Sequence, residues 1–476
     1  MRLRVLLVNP AMDGRAFGRY AKLMEPMPVV GLASLAAICE RDGHSLRVID
    51  QFVSASTPEE VADVARIFGA DVLGIGVLTP TAPTCAAIAV ACRAASPGIH
   101  VIAGNIHADV FSNELLASGI ADYVAHGEAE DTLSELLAVL DGGPDDTALS
   151  AIAGLSWRDS AGQVHRNTAR THRCDLDSLP WPAWHRFPYQ HYGLLPLADV
   201  ARPTLAMTAS RGCPYRCEFC SLLFSGSHYR ARDPIAVVDE YQALHERYGA
   251  RQIGFVDPIF PLGRKMLETF CEEVMRRGLH HDVVWVSETR VDQIDRASLR
   301  LMRQSGCRRL LLGIESGVDM LLENVNKTFT TERVRAAVQL CREERIETIG
   351  LFMLGLPGET REMSEQTIEF AASIGLDFAK FAITVPFPGS QLFEDLRREG
   401  RLDRDDWENF TTFQPNPDLL PFVPRDVSNA DLIRLQQEGT RRFYLRPSMI
   451  WHHLVHIRTI QPRQIINGLR SVLGAA

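Results

Sequence analysis

Three of the ten cysteines lie close together in the chain, whereas the other seven are scattered. The segment SRGCPYRCEFCS spaces Cys213, Cys217 and Cys220 as C-x3-C-x2-C. Thiolates bind soft metals, and a [4Fe–4S] cluster is normally held by four of them. Three thiolates in one loop would leave the fourth iron open to a substrate or cofactor. The spacing therefore predicts a cluster that takes part in catalysis rather than one that only stores electrons.

A structural zinc ion is the alternative for the same loop. Zinc needs four nitrogen or sulfur ligands, and His228, further along the chain, could complete a Cys3His set. Zinc sites usually pair their cysteines as two C-x2-C units, which this loop does not, so the spacing favours the iron–sulfur cluster. Five other cysteines are predicted to be small buried side chains: Cys39, Cys85, Cys92, Cys271 and Cys341. No role is expected for Cys174 or Cys307.

Six apolar, strand-like segments alternate with helical patterns between residues 201 and 400. This alternation is typical of parallel strands joined by helices, and it predicts a partial (β/α)6 barrel rather than the eight-stranded form. The cysteine loop follows the first strand, at the end of the barrel where such folds carry their chemistry. Arg290 follows the third strand, and it either contacts a substrate there or forms a salt bridge.

Residues 1–145 show the same alternation, with five short apolar runs separated by helical patterns. They predict an α/β, doubly wound parallel sheet of the Rossmann-like type, which binds ligands beyond the carboxyl ends of its strands. Turn and polar residues follow these strands, and we expect them to face a ligand: Thr79, Thr81, Gly104, Asn105, His107, Gly127 and Glu128. Residues 146–200 are expected to form a linker with a hairpin, and residues 401–476 a helical C-terminal region.

The triad, with Phe219 before its last cysteine, resembles the radical S-adenosylmethionine (radical SAM) superfamily, as do GIESG, GLFMLGLPGET and VPFPGSQL after it. In that family the open iron binds S-adenosylmethionine, and reductive cleavage of the sulfonium releases a 5′-deoxyadenosyl radical. The resemblance implies these cofactor contacts: Phe219, Glu315, Gly355, Pro357, Gly358 and Glu359. In FVDPIF, Pro258 stands where the family more often has a second Asp, which argues against a cofactor role for Asp257.

A doubly wound domain before such a barrel resembles the cobalamin-binding radical SAM enzymes, on the segments VNP, GLASLAA, GNIHA and DYVAHGEAE. The resemblance implies that cobalamin lies against the strand-end residues of the first domain. Many cobalamin domains supply an axial His within Asp-x-His-x-x-Gly, but the first loop has Asp13 and Gly14 without a His. We therefore expect no axial histidine from this loop, and His107 is the nearest candidate. The alternative is a domain that has lost its cofactor and only packs on the barrel.

Two reactions stand out in the resembled family. One is methylation of an unactivated carbon of a small-molecule or lipid-like substrate, which we favour because it uses both cofactors stoichiometrically. The other is radical cyclisation or rearrangement without methyl transfer, as in the anaerobic cyclase of chlorophyll precursors. An electron donor such as flavodoxin or ferredoxin is expected. A non-enzymatic cobalamin or iron–sulfur sensor is the remaining alternative.

Charge and composition limit the kinds of molecule and surface that the protein is expected to bind. The net charge of −9 over 476 residues argues against a nucleic-acid-binding protein. The opening MRLRVLLVNP is interpreted as a strand rather than a signal peptide, because Asn9-Pro10 ends a short apolar run, and a cytoplasmic location is expected. After Glu438 the chain has no acidic residue, so this segment either contacts an anionic membrane surface peripherally or caps the barrel. Its basic residues are Arg441, Arg442, Arg446, Arg458, Arg463 and Arg470.

Overall fold

This computed structural model describes residues 2–14, 17–18, 21, 25–194, 198–221, 228–402 and 404–456. Within them the strands are β1 Arg4–Asn9, β2 Ser45–Asp50, β3 Val72–Gly76, β4 His100–Gly104, β5 Tyr123–Ala125, β6 Leu155–Arg158, β7 Val164–Arg166, β8 Thr204–Met207, β9 Ser210–Arg211, β10 Arg230–Ala231, β11 Gln252–Phe255, β12 Val284–Thr289, β13 Cys307–Glu315, β14 Glu347–Leu354 and β15 Phe378–Ile383. The helices are α1 Val30–Arg41, α2 Gln51–Ser54, α3 Pro58–Phe68, α4 Ala82–Ala95, α5 Ile106–Val110, α6 Ser112–Ala117, α7 Glu130–Gly142, α8 Asp146–Ser150, α9 Pro234–Tyr248, α10 Arg264–Arg276, α11 Arg296–Gln304, α12 Asp319–Asn324, α13 Thr331–Glu343, α14 Arg361–Ser373, α15 Gln391–Arg398, α16 Asn429–Tyr444 and α17 Pro447–His456.

The first sheet has the order β2-β1-β3-β4-β5-β6-β7, and its first five strands are parallel. Helices α1 and α7 pack together on one face, and α3 and α4 on the other. The predicted doubly wound α/β domain is therefore confirmed. Strand order reverses between β1 and β3, and in such sheets this switch point is where ligands bind.

The predicted hairpin forms, but it belongs to this sheet. β6 pairs with β5 and β7 with β6, both antiparallel, so the hairpin covers an edge that β5 would otherwise expose. Trp157 on β6 is buried and contributes to the core of the first domain. The sheet thus continues to Arg166, and the linker begins after it. The domain boundaries proposed from the sequence otherwise stay predictions.

The second sheet has the order β15-β14-β13-β12-β11-β8, with every pair parallel. Its strands match the six segments expected from the sequence, and the partial (β/α)6 barrel is confirmed. Its concave face is closed at the bottom by one apolar cluster: Leu194, Ala198, Val286, Leu311, Ile349 and Phe378. The barrel is therefore filled below and opens at the carboxyl ends of its strands.

The C-terminal region begins with irregular chain and short 3-10 turns, and becomes helical only at α16. That helix packs against α14 and β15, and the Tyr444 hydroxyl donates a hydrogen bond of 2.8 Å to the carbonyl oxygen of Ala379. Helix α17 follows, and residues 457–476, which include three of the arginines noted above, lie outside the described part. In that part no helix is both long and apolar enough to cross a membrane.

Candidate active site

The cysteine loop is held at its base by the two-stranded ladder of β9 and β10. Gly212, which follows β9, has φ +81°, a value that a side chain would disfavour, so it lets the chain turn into the loop. In the middle of the loop the amide of Glu218 donates to the carbonyl of Val325 (3.3 Å), and its carbonyl accepts from the amide of Leu392 (2.9 Å). The loop is therefore fixed to the barrel on both sides.

The three loop thiols differ in exposure from most other cysteines. Cys213, Cys217 and Cys220 are half-buried, and Cys174 is exposed. The others are buried, as expected for Cys39, Cys85, Cys92, Cys271 and Cys341, and Cys307 is buried with them. Burial raises the pKa of Cys39, Cys85, Cys271 and Cys341 to about 12, so these thiols stay protonated and do not bind metal. Only the three loop thiols are both partly exposed to solvent and close to one another in the sequence.

Positive charge lies beside the loop. The Arg290 guanidinium stacks on the Tyr215 ring at 3.6 Å, and its Nη1 is 4.0 Å from the Cys217 Sγ. Arg290 also donates hydrogen bonds to Asp292 and Thr328, so the salt bridge expected as one alternative is present, and contact with a substrate stays a prediction. Buried Lys327 adds a second cation: burial lowers its pKa, but the Glu315 carboxylate, and after it Cys217, raise the pKa of Lys327 above its ordinary value. These cations offset the negative charge of a thiolate set.

Asp257 holds the start of the same loop. Its carboxyl group, fully inside the protein, accepts hydrogen bonds from the Ala209 amide (3.0 Å) and the Ser210 hydroxyl (2.5 Å). Its oxygens are thus used to position β9. Burial is the largest influence on its pKa and raises it to about 7.

This carboxyl group should make stability depend on pH. An unfolded Asp has a pKa of about 3.9, so between about pH 4 and pH 7 the folded protein binds the extra proton. The stabilisation is complete below about pH 4 and is lost as pH rises through about 7. We expect the unfolding free energy of wild type, relative to Asp257→Asn, to fall by a few kcal/mol over that range in urea titrations. Parallel curves for the two proteins would contradict this.

The GLPGET turn after β14 is shaped by its own carboxylate. The Glu359 carboxyl group accepts from the Leu356 amide (2.7 Å) and the Ser364 hydroxyl (2.6 Å), and burial raises its pKa to about 7. Gly355 and Gly358 have φ +84° and +76°, which non-glycine residues rarely adopt. Glu359 therefore holds the turn together, and the exposed backbone around Pro357 and Gly358 is the part that a cofactor could reach.

Glu315 and Phe219 lie near each other through Lys327. The Lys327 ammonium is 2.8 Å from a Glu315 carboxylate oxygen and 5.7 Å from the centre of the Phe219 ring. Glu315 has φ +69° at the end of β13, which is unusual for a residue with a side chain and is common at functional sites. Glu315 thus lies beside the cysteine loop, which carries Phe219. Their contact with S-adenosylmethionine stays a prediction.

A second candidate surface lies at the carboxyl edge of the first sheet, between β3 and β4 and next to the switch point. Gly76 and Gly104 are register partners at the ends of β3 and β4, and a Cβ on Gly76 would meet nothing within 4 Å. Beside them the Thr79 hydroxyl and the His107 Nδ1 are buried and have no hydrogen-bond partner among the residues that the structure describes. Buried polar atoms normally have partners, so a ligand is the natural one here. A flat patch without side chains and two such atoms fit a wide corrin ring.

The other strand-end residues mainly build local structure. The Thr81 hydroxyl bonds the backbone of Leu78, and the Asn105 side chain accepts from the Ile106 amide (2.7 Å) at the start of α5. His107 packs against Phe111 and Trp407, and burial lowers its pKa to about 4, so its ring is neutral at pH 7. Part of the loop that holds Asp13 and Gly14 lies outside the described residues. Axial ligation therefore stays as predicted from the sequence.

Gly127 and Glu128 follow β5, and Glu128 faces the ladder of β9 and β10 at the base of the cysteine loop. The Glu128 carboxylate forms ion pairs with Arg230, whose side chain is 4% exposed, and with Arg211 at 3.2 Å. Arg211 also pairs with Glu130 at 2.5 Å. Because the two arginines lie on β9 and β10, this arginine–glutamate clamp joins the first domain to the base of the cysteine loop. Sequence reasoning missed it, since nothing in either segment indicates its distant partner.

The residues present fit the implied cofactors. Three accessible thiols beside two cations would hold an iron–sulfur cluster, and the glycine patch with its unpartnered polar atoms would hold cobalamin. His228 is exposed. Among the described residues, no three His, Cys, Asp or Glu side chains form a group that could hold a single metal ion.

Comparison with known proteins places the chain in a family. The Radical SAM superfamily model matches residues 207–371, and the B12 binding domain model matches residues 19–137. An uncharacterized methyltransferase of Pyrococcus horikoshii is 30% identical over 448 residues, 94% of each chain. The anaerobic magnesium-protoporphyrin IX monomethyl ester cyclase of Cereibacter sphaeroides is 27% identical over 99% of this chain and 75% of its own.

The fold is also that of a solved member. The radical S-adenosylmethionine methyltransferase TsrM of Kitasatospora setae, solved with cobalamin and a [4Fe–4S] cluster, gives a TM-score of 0.71 at 17% identity, covering 94% of this chain and 90% of TsrM. Family membership favours the cluster over zinc in the cysteine loop. The chain belongs to the cobalamin-binding radical SAM enzymes, and its cofactors are a [4Fe–4S] cluster, S-adenosylmethionine and cobalamin.

Proposed function

We propose that this enzyme transfers a methyl group from S-adenosylmethionine, by way of cobalamin, to an unactivated carbon of a small-molecule substrate. The observation that carries the proposal is the likeness, over 94% of both chains, to a relative named as a methyltransferase. Membership in an enzyme family also replaces the sensor alternative. When bound, the cluster supplies an electron for sulfonium cleavage and cobalamin supplies a methyl carrier.

Each group of site residues would bind or orient the cofactor that its position allows it to reach. Cys213, Cys217 and Cys220 would hold the cluster, and Arg290 and Lys327 would compensate its charge. Glu315 and the turn at Gly355–Glu359 would orient S-adenosylmethionine. Gly76, Gly104 and Thr79 would hold cobalamin, and the arginine–glutamate clamp would keep the two cofactor surfaces facing one substrate space.

Partners follow from the reaction class. Reductive cleavage needs an external one-electron reductant, for which flavodoxin or ferredoxin is suited. A TsrM structure contains tryptophan, which supports a small-molecule substrate here. Ile450 and Trp451 are exposed on α17, which follows Arg446 in the chain, and they support peripheral contact with an anionic membrane.

Cyclisation without methyl transfer is the second candidate, because the cyclase relative matches nearly the whole chain. Anaerobically reconstituted enzyme, with reductant and methyl-deuterated S-adenosylmethionine, should be incubated with a small-molecule extract of the source organism and analysed by mass spectrometry. Methyl transfer predicts 5′-deoxyadenosine and a product in which a deuterated methyl replaces one hydrogen. Deoxyadenosine with an unlabelled product would favour the cyclase-like reaction. The Cys217→Ala variant is the blank.

A further inference from the structure

The inside of the barrel is built in layers, because alternate residues of a strand face the same side. The apolar floor contains Val286, Leu311, Ile349 and Phe378, one from each of β12 to β15. The next inward-facing position on each strand is Glu288, Gly313, Leu351 and Lys380 in turn. The three with side chains are half-buried although they lie inside the barrel, so they line open space above the floor.

Two of these lining residues carry opposite charges, and no group in the described residues neutralises either charge by contact. In the described part of the chain neither the Glu288 carboxylate nor the Lys380 ammonium has a hydrogen bond or an ion pair, and Lys380 only lies over the Phe413 ring at 5.1 Å. Nearby Lys327 and Glu315, by contrast, pair with each other at 2.8 Å. Unpaired charges inside a protein are costly, so a retained pair of this kind indicates a ligand.

Burial and neighbouring charges shift the pKa values of both groups, as expected for two charged groups enclosed near each other. Burial raises the pKa of Glu288 to about 7, with the Glu315 carboxylate adding to the rise, and Lys327 and Lys380 opposing it. Burial lowers the pKa of Lys380, and the Glu288 carboxylate opposes that fall. The two charges therefore act on each other across the lumen without touching.

We propose that Glu288 and Lys380 bind the methyl-accepting substrate, and that this substrate is a compact zwitterion of the amino-acid class. Its carboxylate would lie at Lys380 and its ammonium at Glu288. The apolar floor closes the lumen below, so the rest of the substrate would extend upward between Leu351 and Val256, which is 41% exposed, toward the cofactors. This assignment rests on the proposed function, since it places the substrate below the two cofactor surfaces.

S-adenosylmethionine is itself an amino acid, but its expected place is higher in the barrel. Arg290, which approaches Cys217, is the next inward-facing residue after Glu288, one step nearer the carboxyl end of the strand. The residues expected to contact the methionine part are therefore those around Arg290, Lys327 and Glu315. Glu288 comes one inward-facing position earlier on the same strand, and its carboxylate lies beside the Glu315–Lys327 pair, near Gly313. Lys380 is the inward-facing position that follows the floor residue Phe378 on β15.

The test is isothermal titration calorimetry on anaerobic, fully reconstituted enzyme with S-adenosylmethionine present, using the proteinogenic L-amino acids one at a time. We expect at least one to bind wild type, and Lys380→Met and Glu288→Gln each to weaken it about tenfold or more. Lys380→Arg should restore much of the affinity. Two exposed charges provide matched controls, Lys265→Met and Glu369→Gln, which should bind as wild type does.

A comparison on wild type alone guards against variants that misfold. The decarboxylated amine of the best amino acid should bind at least about tenfold more weakly than the amino acid. If no amino acid binds while S-adenosylmethionine binds and is cleaved, the inference is wrong and the proposed function stands. If Lys380→Met or Glu288→Gln loses S-adenosylmethionine to the same extent, the pair belongs to that cofactor and the inference is overturned. If wild type cannot cleave S-adenosylmethionine, the proposed function fails and the inference with it.

Discussion

Cys217→Ala should abolish reductive cleavage of S-adenosylmethionine. Two thiolates cannot replace three as ligands of a cubane whose fourth iron must stay open, so the variant should not retain a [4Fe–4S] cluster. Cys217 is also the thiol that Arg290 approaches, and its loss would leave that cation without its sulfur partner. The measurements are iron and sulfide content, the visible absorbance of the anaerobically reconstituted protein, and 5′-deoxyadenosine formation with dithionite.

The matched control for this experiment is Cys174→Ala. Cys174 is exposed and outside the loop, so its removal should leave iron content and cleavage at the wild-type level. Thermal unfolding of both apoproteins should be nearly unchanged, since the loop is fixed through its backbone. Zinc in the wild-type loop, or a Cys217→Ala protein that still cleaves S-adenosylmethionine, would contradict the assignment of the triad.

Gly76→Val should remove cobalamin binding without unfolding the protein. Apart from the glycine and its two chain neighbours, no atom of the described residues lies within 4 Å of the position that a Cβ would take, and valine suits a strand, so the apoprotein should be as stable as wild type. The same side chain would occupy the surface against which we expect the corrin ring to lie. Cobalamin affinity should therefore fall at least about tenfold, about 1.4 kcal/mol, and methyl transfer should be lost. Absorbance after gel filtration measures the retained cobalamin.

Gly142→Val is the control for this substitution. Gly142 ends α7, which runs back from the carboxyl edge of the sheet, and its surroundings are equally open. It should retain cobalamin like wild type. If Gly76→Val also retained it, the flat patch at Gly76 and Gly104 would not be the corrin surface.

Sequence patterns located the strands of both sheets and the three loop cysteines, because burial on both faces produces continuous apolar runs and metal ligands cluster along the chain. They did not locate groups whose partners are far apart. Lys327 and Glu288 come from different barrel segments, and only the closed fold brings them near Glu315. The hairpin was expected from its turn, but its pairing with β5 depends on which edge the sheet leaves open.

The site residues that were chosen from the ends of strands show the same limit: the sequence identified some of them and missed others. Gly104 was identified, whereas its neighbour Gly76 was not, since a single glycine at the end of a strand has no distinguishing pattern. Asp257 was set aside as a cofactor contact because of Pro258, and the structure gives the carboxyl group a different task at the base of the loop. The role of such a carboxyl group depends on which backbone amide lies next to it in the fold, and the sequence does not show this.

The arginine–glutamate clamp connects the position of the first domain to that of the cysteine loop. Glu128 is bound by arginines on both strands that begin and end the cysteine loop, so the first domain cannot tilt without pulling on the loop. The distance between the two cofactor surfaces is then set by contacts that lie outside the barrel lumen. A substitution at Glu288 or Lys380 would therefore change what the lumen binds, while the spacing that the clamp sets between the first domain and the cysteine loop would stay the same.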